Sequence, residues 1–168
     1  MRAVKLGACV AACLLLAGCA TTGVAARVDP TLDVQAAKAI AQGWETEIAG
    51  MVPADVVVSI DQHPKGVLMS CTPNHDYAWS GTTLVHLHPD AQPGPQEIID
   101  IIAATYHSRE DVRVKVDREE GLLPDVEIIG SHHQVYIAGP DPDGSVFRID
   151  SWSPCFHLED GVYPGGEW

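Results

Sequence analysis

The chain has 168 residues, enough for one domain with a real core, and 46% of them are hydrophobic, which rules out disorder along its whole length. Ten basic residues against 23 acidic ones give a formal charge of −13. That balance argues against nucleic acid as a partner and against direct attraction to anionic lipid headgroups, since both need a surplus of lysine and arginine.

Residues 1–18 read as a signal peptide. Arg2 and Lys5 form a short basic start, Leu6 to Ala17 is an apolar run too short to span a bilayer, and small residues follow. The run ends in Leu16-Ala17-Gly18-Cys19. These four residues resemble the lipobox of bacterial lipoproteins at every position. The resemblance implies cleavage before Cys19, which would carry a diacylglyceryl group and, where added, an N-acyl chain such as palmitate. It implies a protein held at the extracytoplasmic face of the cell membrane. One acyl chain binds a membrane weakly and two or three hold firmly. Loss of Arg2 and Lys5 with the leader takes the formal charge from −13 to −15.

Residues 19–30, "CATTGVAARVDP", are small and polar with no periodicity, and are expected to be a flexible tether. One domain then covers residues 31–168. In "TLDVQAAKAIAQGWETEIAGMVP", Ala37, Ile40, Ala41, Trp44, Ile48 and Met51 recur at helical spacing, with Thr31 or Asp33 as the cap and Gly50 and Pro53 at the end. "DVVVSI" and "GVLMSC" read as strands. After the turn "TPNHD" comes a long strand, "YAWSGTTLVHLH", with Gly81 as a bulge or bend. Thr83, Val85 and Leu87 should point one way, and Leu84, His86 and His88 the other.

"PDAQPGPQ" is a loop whose Pro95 suits the first turn of a second helix, with Ile98, Ile101, Ile102, Thr105 and Tyr106 on one face and Ile99 widening it. "DVRVKVD" alternates, Val112, Val114 and Val116 inward. "VEIIG", "HQVYIAG" and "SVFRIDSW" are three more strands, the last two joined by the turn-rich "GPDPDGS". Helices do not alternate with single strands. The expected class is therefore α+β, an antiparallel sheet of six to seven strands with two helices packed on one face. The order also allows two α-β-β-β halves.

Of the five cysteines, the leader removes Cys9 and Cys13 and lipid takes Cys19. Cys71 and Cys155 remain, and two thiols in an exported domain favour one disulfide. Two other chemistries compete for them. With His75 and His157 they make a Cys₂His₂ set if the segments meet, and a free Cys155 beside His157 would be a nucleophile near a base. Eight histidines also invite a metal reading. His86 and His88 share a strand face, and His132-His133 begins another strand, so these four are the alternative Zn²⁺ or Cu²⁺ ligands. No metal is expected as the first reading.

There is no G-x-S-x-G elbow, no S-x-x-K and no Gly-rich phosphate loop, so no catalytic residue and no cofactor is expected. Trp44 should be core. Trp79, Trp152 and Trp168, with Tyr77, Tyr136 and Tyr163, either pack or bind, and Trp152 could shield the disulfide. "LLAGC", "SCTPNHDYAWSGTT" and "SPCF" together resemble small actinobacterial lipoproteins of unknown function, of the mycobacterial LppA type. That resemblance implies an envelope lipoprotein and no catalytic residues. The expected function is a non-enzymatic binding or interaction module on a lipid anchor, its partner an envelope protein or a small ligand. The alternatives are a metal-binding lipoprotein and a hydrolase of envelope polymers.

Overall fold

The computed structural model describes residues 27–90 and 92–168. The leader, Cys19 and most of the expected tether lie outside the described residues. The elements are α1 (Val34–Ala49), β1 (Val57–Gln62), β2 (Val67–Thr72), β3 (Asp76–Leu87), α2 (Pro95–His107), β4 (Val112–Asp117), β5 (Asp125–Gly130), β6 (Val135–Pro140), β7 (Val146–Trp152) and β8 (Phe156–His157). The strands form one antiparallel sheet in the order β1-β3-β7-β6-β5-β4, with β2 and β8 also paired to β3.

The two helices and the antiparallel sheet are those expected, with eight strands in place of six or seven. The extra strand is β8. After Ser153 and Pro154 the chain returns to β3, where Tyr77 faces Phe156 and Asp76 faces His157. Pro154 has no N–H for the ladder, which separates β8 from β7. β1 and β2 lie end to end along one edge of the twelve-residue β3 and do not pair with each other. β4 to β7 form a true meander. The α-β-β-β order thus recurs along the chain, but the pairing in its two parts differs.

α1 is capped by Asp33, whose carboxylate accepts from the Ala36 N–H at 2.8 Å. It ends where Gly50 donates to the Thr46 carbonyl at 3.0 Å. Its buried face is Ala37, Ala41, Glu45, Ile48 and Ala49, while Ile40, Trp44 and Met51 are only partly buried. The buried stripe is therefore turned from the expected one, and it contains an acid. α2 starts at Pro95, with Glu97 accepting from the Gly94 N–H at 3.1 Å. It buries Ile98, Ile99, Ile102, Ala103 and Tyr106. Ile101 and Thr105, expected inside, face solvent, and the Thr105 hydroxyl donates to the Ile101 carbonyl.

Both helices cover the same face. Ile48 of α1 and Ile98 and Ile102 of α2 share one apolar cluster with Val85, Phe147, Ile149, Ala138 and Val126. Register places these strand residues on one side, since Val85 faces Phe147, Ile149 faces Ala138, and Ala138 faces Val126. A second cluster, Ala37, Ala41, Trp79, Phe156 and Leu158, fills the end of the sheet under the start of α1. Trp44 is not a fully buried core residue. It stacks on Tyr136 at 5.1 Å and on Tyr106 at 5.6 Å, with the Arg109 guanidinium 4.8 Å from its ring.

Gly81 is neither bulge nor bend. β3 and β7 stay in register through it, Gly81 facing Ser151. A Cβ there would lie 2.1 Å from the Trp79 ring and 3.1 Å from the Glu45 carboxylate. Glycine is needed because an indole and a carboxylate occupy the space a side chain would take.

Among the described residues no helix covers the other face of the sheet. Its rows follow from the same register. One runs Val67, Ser80, Trp152, Val135, Ile129 and Arg113 across six strands. The next holds Thr82, Asp150, Ile137, Glu127 and Lys115.

Candidate functional site

Cys71 and Cys155 form a disulfide with Cα atoms 6.3 Å apart, joining two segments 84 residues apart. The bond ties β2 to the segment leading into β8, two strands that both pair with β3. Val28 makes a parallel bridge to Cys155, and the Asp29 N–H donates to the Cys155 carbonyl at 2.8 Å. The stretch expected to be free tether as far as residue 30 is therefore joined to the domain from Val28 onward, because the Cys155 backbone supplies the partner its N–H needs.

The histidines of this corner are held as well. The Asp76 carboxylate is largely buried. It accepts from the Thr72 hydroxyl at 2.5 Å, and its other oxygen lies 3.0 Å from His157 Nδ1. The Thr72 hydrogen bond, with the His157 contact second, holds the Asp76 carboxyl below its usual range. His75 adopts the left-handed region at φ 63°, uncommon for a side chain of this size. Its Nδ1 lies 3.1 Å from the Leu158 carbonyl, its ring meets Tyr77 edge-on, and its centroid is 6.2 Å from that of His157.

Beside this corner the N-terminal end of α1 and the segment after β8 enclose a cleft of about 300 Å³. It is lined by Val34, Phe156, Leu158, Val162 and Trp168, together with Asp33, His157 and Glu159. Trp168 is fixed in place. Its backbone exchanges two hydrogen bonds with Gly66, and its carbonyl accepts from Lys38 Nζ at 3.2 Å and from the Trp79 indole N–H at 3.3 Å. The cleft can take an apolar group.

The chain matches no protein-family model, no curated protein and no solved structure. Its chemistry is therefore read from its own residues.

The histidines proposed as alternative ligands are not brought together. His86 faces Ser59 and Val146, and His88 lies just past the end of β3. His132 and His133 do not begin a strand. They form the turn between β5 and β6, with His133 at φ 63°, because β6 starts only at Val135. That turn is next to the row of Ser80, six residues along β3 from His86, or roughly 20 Å at strand rise. Cys71 and Cys155 are oxidised, which removes thiolate from the Cys₂His₂ set and from any nucleophile. Among the described residues no three His, Cys, Asp or Glu side chains are placed to hold a metal ion. No serine or threonine hydroxyl among them is hydrogen-bonded to His157.

One polar feature escaped the sequence reading. Glu45 is fully buried, and its carboxylate accepts from Gln62 Nε2 at 2.9 Å, from the Thr83 hydroxyl at 2.8 Å and from the Ser151 hydroxyl. It links α1 to β1, β3 and β7. Three donors satisfy it, and its work is structural. The only sequence signal was its position four residues after Ala41 on the buried stripe.

Proposed function

We propose that this protein is a lipid-anchored binding module of the cell envelope, attached through Cys19 to the extracytoplasmic face of the membrane and holding its ligand in the cleft at the start of α1. The lipobox-like Leu16-Ala17-Gly18-Cys19 supports the anchor. The Cys71–Cys155 disulfide supports export, since such bonds persist in oxidising compartments. The cleft carries the binding reading. It is walled by Phe156, Leu158, Val162 and Trp168, and its floor is fixed by a covalent bond two residues before His157. An apolar lining of this kind is the usual form of a small-ligand pocket.

Two measurements test it. Expression of the full chain in a bacterium that processes lipoproteins should place the protein in the membrane fraction, with labelled palmitate incorporated by the wild type and lost in Cys19→Ser. An uncleaved chain in the soluble fraction would overturn the anchor. A neutral apolar dye should bind the purified protein, and Val162→Arg should abolish the signal without lowering the melting temperature. Unchanged dye binding in that variant would overturn the cleft.

The Asp76–His157 pair favours a second reading, hydrolysis of an envelope polymer. An imidazole oriented by a buried carboxylate is the arrangement of a general base. Release of new reducing ends or amines from purified cell wall by wild type, and not by His157→Gln, would establish it.

A further inference from the structure

The turn between β2 and β3 and the short β8 bring two imidazoles together. His157 faces Asp76 across the ladder, and its Nδ1 lies 3.0 Å from a carboxylate oxygen of that residue. His75 directly precedes Asp76, and in an unbroken strand the two would face opposite sides of the sheet. The left-handed backbone at His75, φ 63°, breaks that alternation. Its ring centroid stands 6.2 Å from that of His157, with the planes tilted by 57°. Both residues are pinned. The Leu158 N–H donates to the His75 carbonyl at 3.0 Å, and the disulfide joins Cys71, shortly before His75, to Cys155, shortly before His157.

Hydrogen bonding fixes which nitrogen of each ring is free. The Leu158 carbonyl, 3.1 Å from His75 Nδ1, can only accept, so that nitrogen carries the proton. The Asp76 carboxylate does the same for His157 Nδ1, and the Thr72 hydroxyl in turn holds Asp76. Each neutral imidazole is left with its lone pair on Nε2. Among the described residues neither Nε2 has a hydrogen-bond partner. A ring that donates one N–H to a carbonyl or a carboxylate is oriented, and fixed in tautomer, as metal-binding histidines are. An imidazole nitrogen binds a first-row ion such as Zn²⁺ at about 2 Å, which sets each ring centre roughly 3 Å from the ion and two ring centres at most about 6.5 Å apart. The observed 6.2 Å lies inside that limit.

We propose that His75 and His157 form a two-histidine site for Cu²⁺, in which Nε2 of each ring binds one ion, Asp76 and the Leu158 carbonyl orient the rings, and water fills the remaining positions. Imidazole suits copper and zinc alike, and the order of divalent affinities places Cu²⁺ above Zn²⁺ at such a pair. The disulfide takes thiolate out of the corner, so the protein's donors are the two nitrogens. An ion held by two protein ligands keeps open positions and exchanges with solvent. The formal charge of −13 favours the approach of a cation. The site shares only His157 with the lining of the cleft, and it needs neither the lipid anchor nor an apolar ligand.

The test is calorimetric titration of the full chain in detergent micelles, metal-free and without reductant, with Cu²⁺ and separately with Zn²⁺ in a non-chelating buffer. Cu²⁺ should bind with a Kd of about 10 µM or tighter, and Zn²⁺ roughly tenfold more weakly. His75→Gln and His157→Gln should each weaken Cu²⁺ binding by about tenfold or more. A second measurement on the wild type decides the matter even if a variant fails to fold. Substoichiometric Cu²⁺ should broaden the ring-proton NMR signals of His75 and His157 before those of the other histidines. The absence of saturable heat up to about 1 mM Cu²⁺ would overturn the proposal. So would unchanged affinity in a natively melting variant, earlier broadening of any other histidine, or binding that appears only after a reductant frees Cys71 and Cys155. Failure of the wild type to bind the apolar dye would count against the cleft alone and leave this site standing.

Discussion

Glu45 and Gly81 meet where α1 crosses β3, the carboxylate lying 3.1 Å from the point where a Cβ on residue 81 would stand. The glycine makes room for the acid, and the acid holds the hydroxyls of Thr83 and Ser151, so helix and sheet are joined by polar bonds inside an apolar core. Gly81→Ala should therefore drive a methyl group into Trp79 and destabilise the fold by about 1–3 kcal/mol or more. Glu45→Gln should cost about 1–3 kcal/mol, because an amide offers one acceptor to three donors. Urea midpoints of the two variants measure both. A change within error in either would remove the polar crossing from the account of stability.

The disulfide closes a loop of 84 residues. Reduction, or Cys71→Ser with Cys155→Ser, should lower stability by roughly 4.5 kcal/mol in the chain-entropy description. Thiol reagents applied to the folded protein should modify neither Cys71 nor Cys155 until a reductant is added. Labelling of both without reductant would restore the thiolate chemistries of this corner.

Asp76 should contribute to the acid limb of stability. Its folded carboxyl titrates below the ordinary 3.8, so its contribution is complete above that value and is lost as pH falls through the lower, folded one. Denaturation midpoints followed from pH 6 to pH 2 should fall more steeply in wild type than in Asp76→Asn. The variant should also free His157, whose ring would lose its 3.0 Å partner. Parallel curves for the two proteins would show that the pair does not stabilise the fold.

Titration with Zn²⁺ or Cu²⁺ should give no binding tighter than about micromolar that depends jointly on His86, His88, His132 and His133, since the two pairs stand at separate ends of the sheet. A coupled loss of affinity on replacing one histidine from each pair would contradict this strand register.

Much of the architecture was legible from period alone. Val112, Val114 and Val116 alternate because one face of β4 is covered, and Thr83, Val85 and Leu87 do so for the same reason on β3. The cysteine pair was legible because Cys71 and Cys155 are the two that remain once the expected leader and lipid site account for Cys9, Cys13 and Cys19. The burial of Glu45 was not, since its partners Gln62, Thr83 and Ser151 arrive from three other elements that no local pattern links to α1. β8 was invisible because a two-residue strand after a proline has no period to read. The fate of the histidines turned on how far β3 and β6 extend and on how the strands pair, which residue types constrain only weakly.

The bridge from Val28 to Cys155 bears on mechanics as well as on shape. If Cys19 carries the lipid, a pull from the undulating bilayer that arrives at Val28 enters its bridge to Cys155. The load passes to Cys155 and from there, across a covalent bond, into β2. β2 and β8 both grip β3, so the strain is spread as shear over the sheet's longest strand before it can unwind α1. The domain would hang from its disulfide as from a rivet.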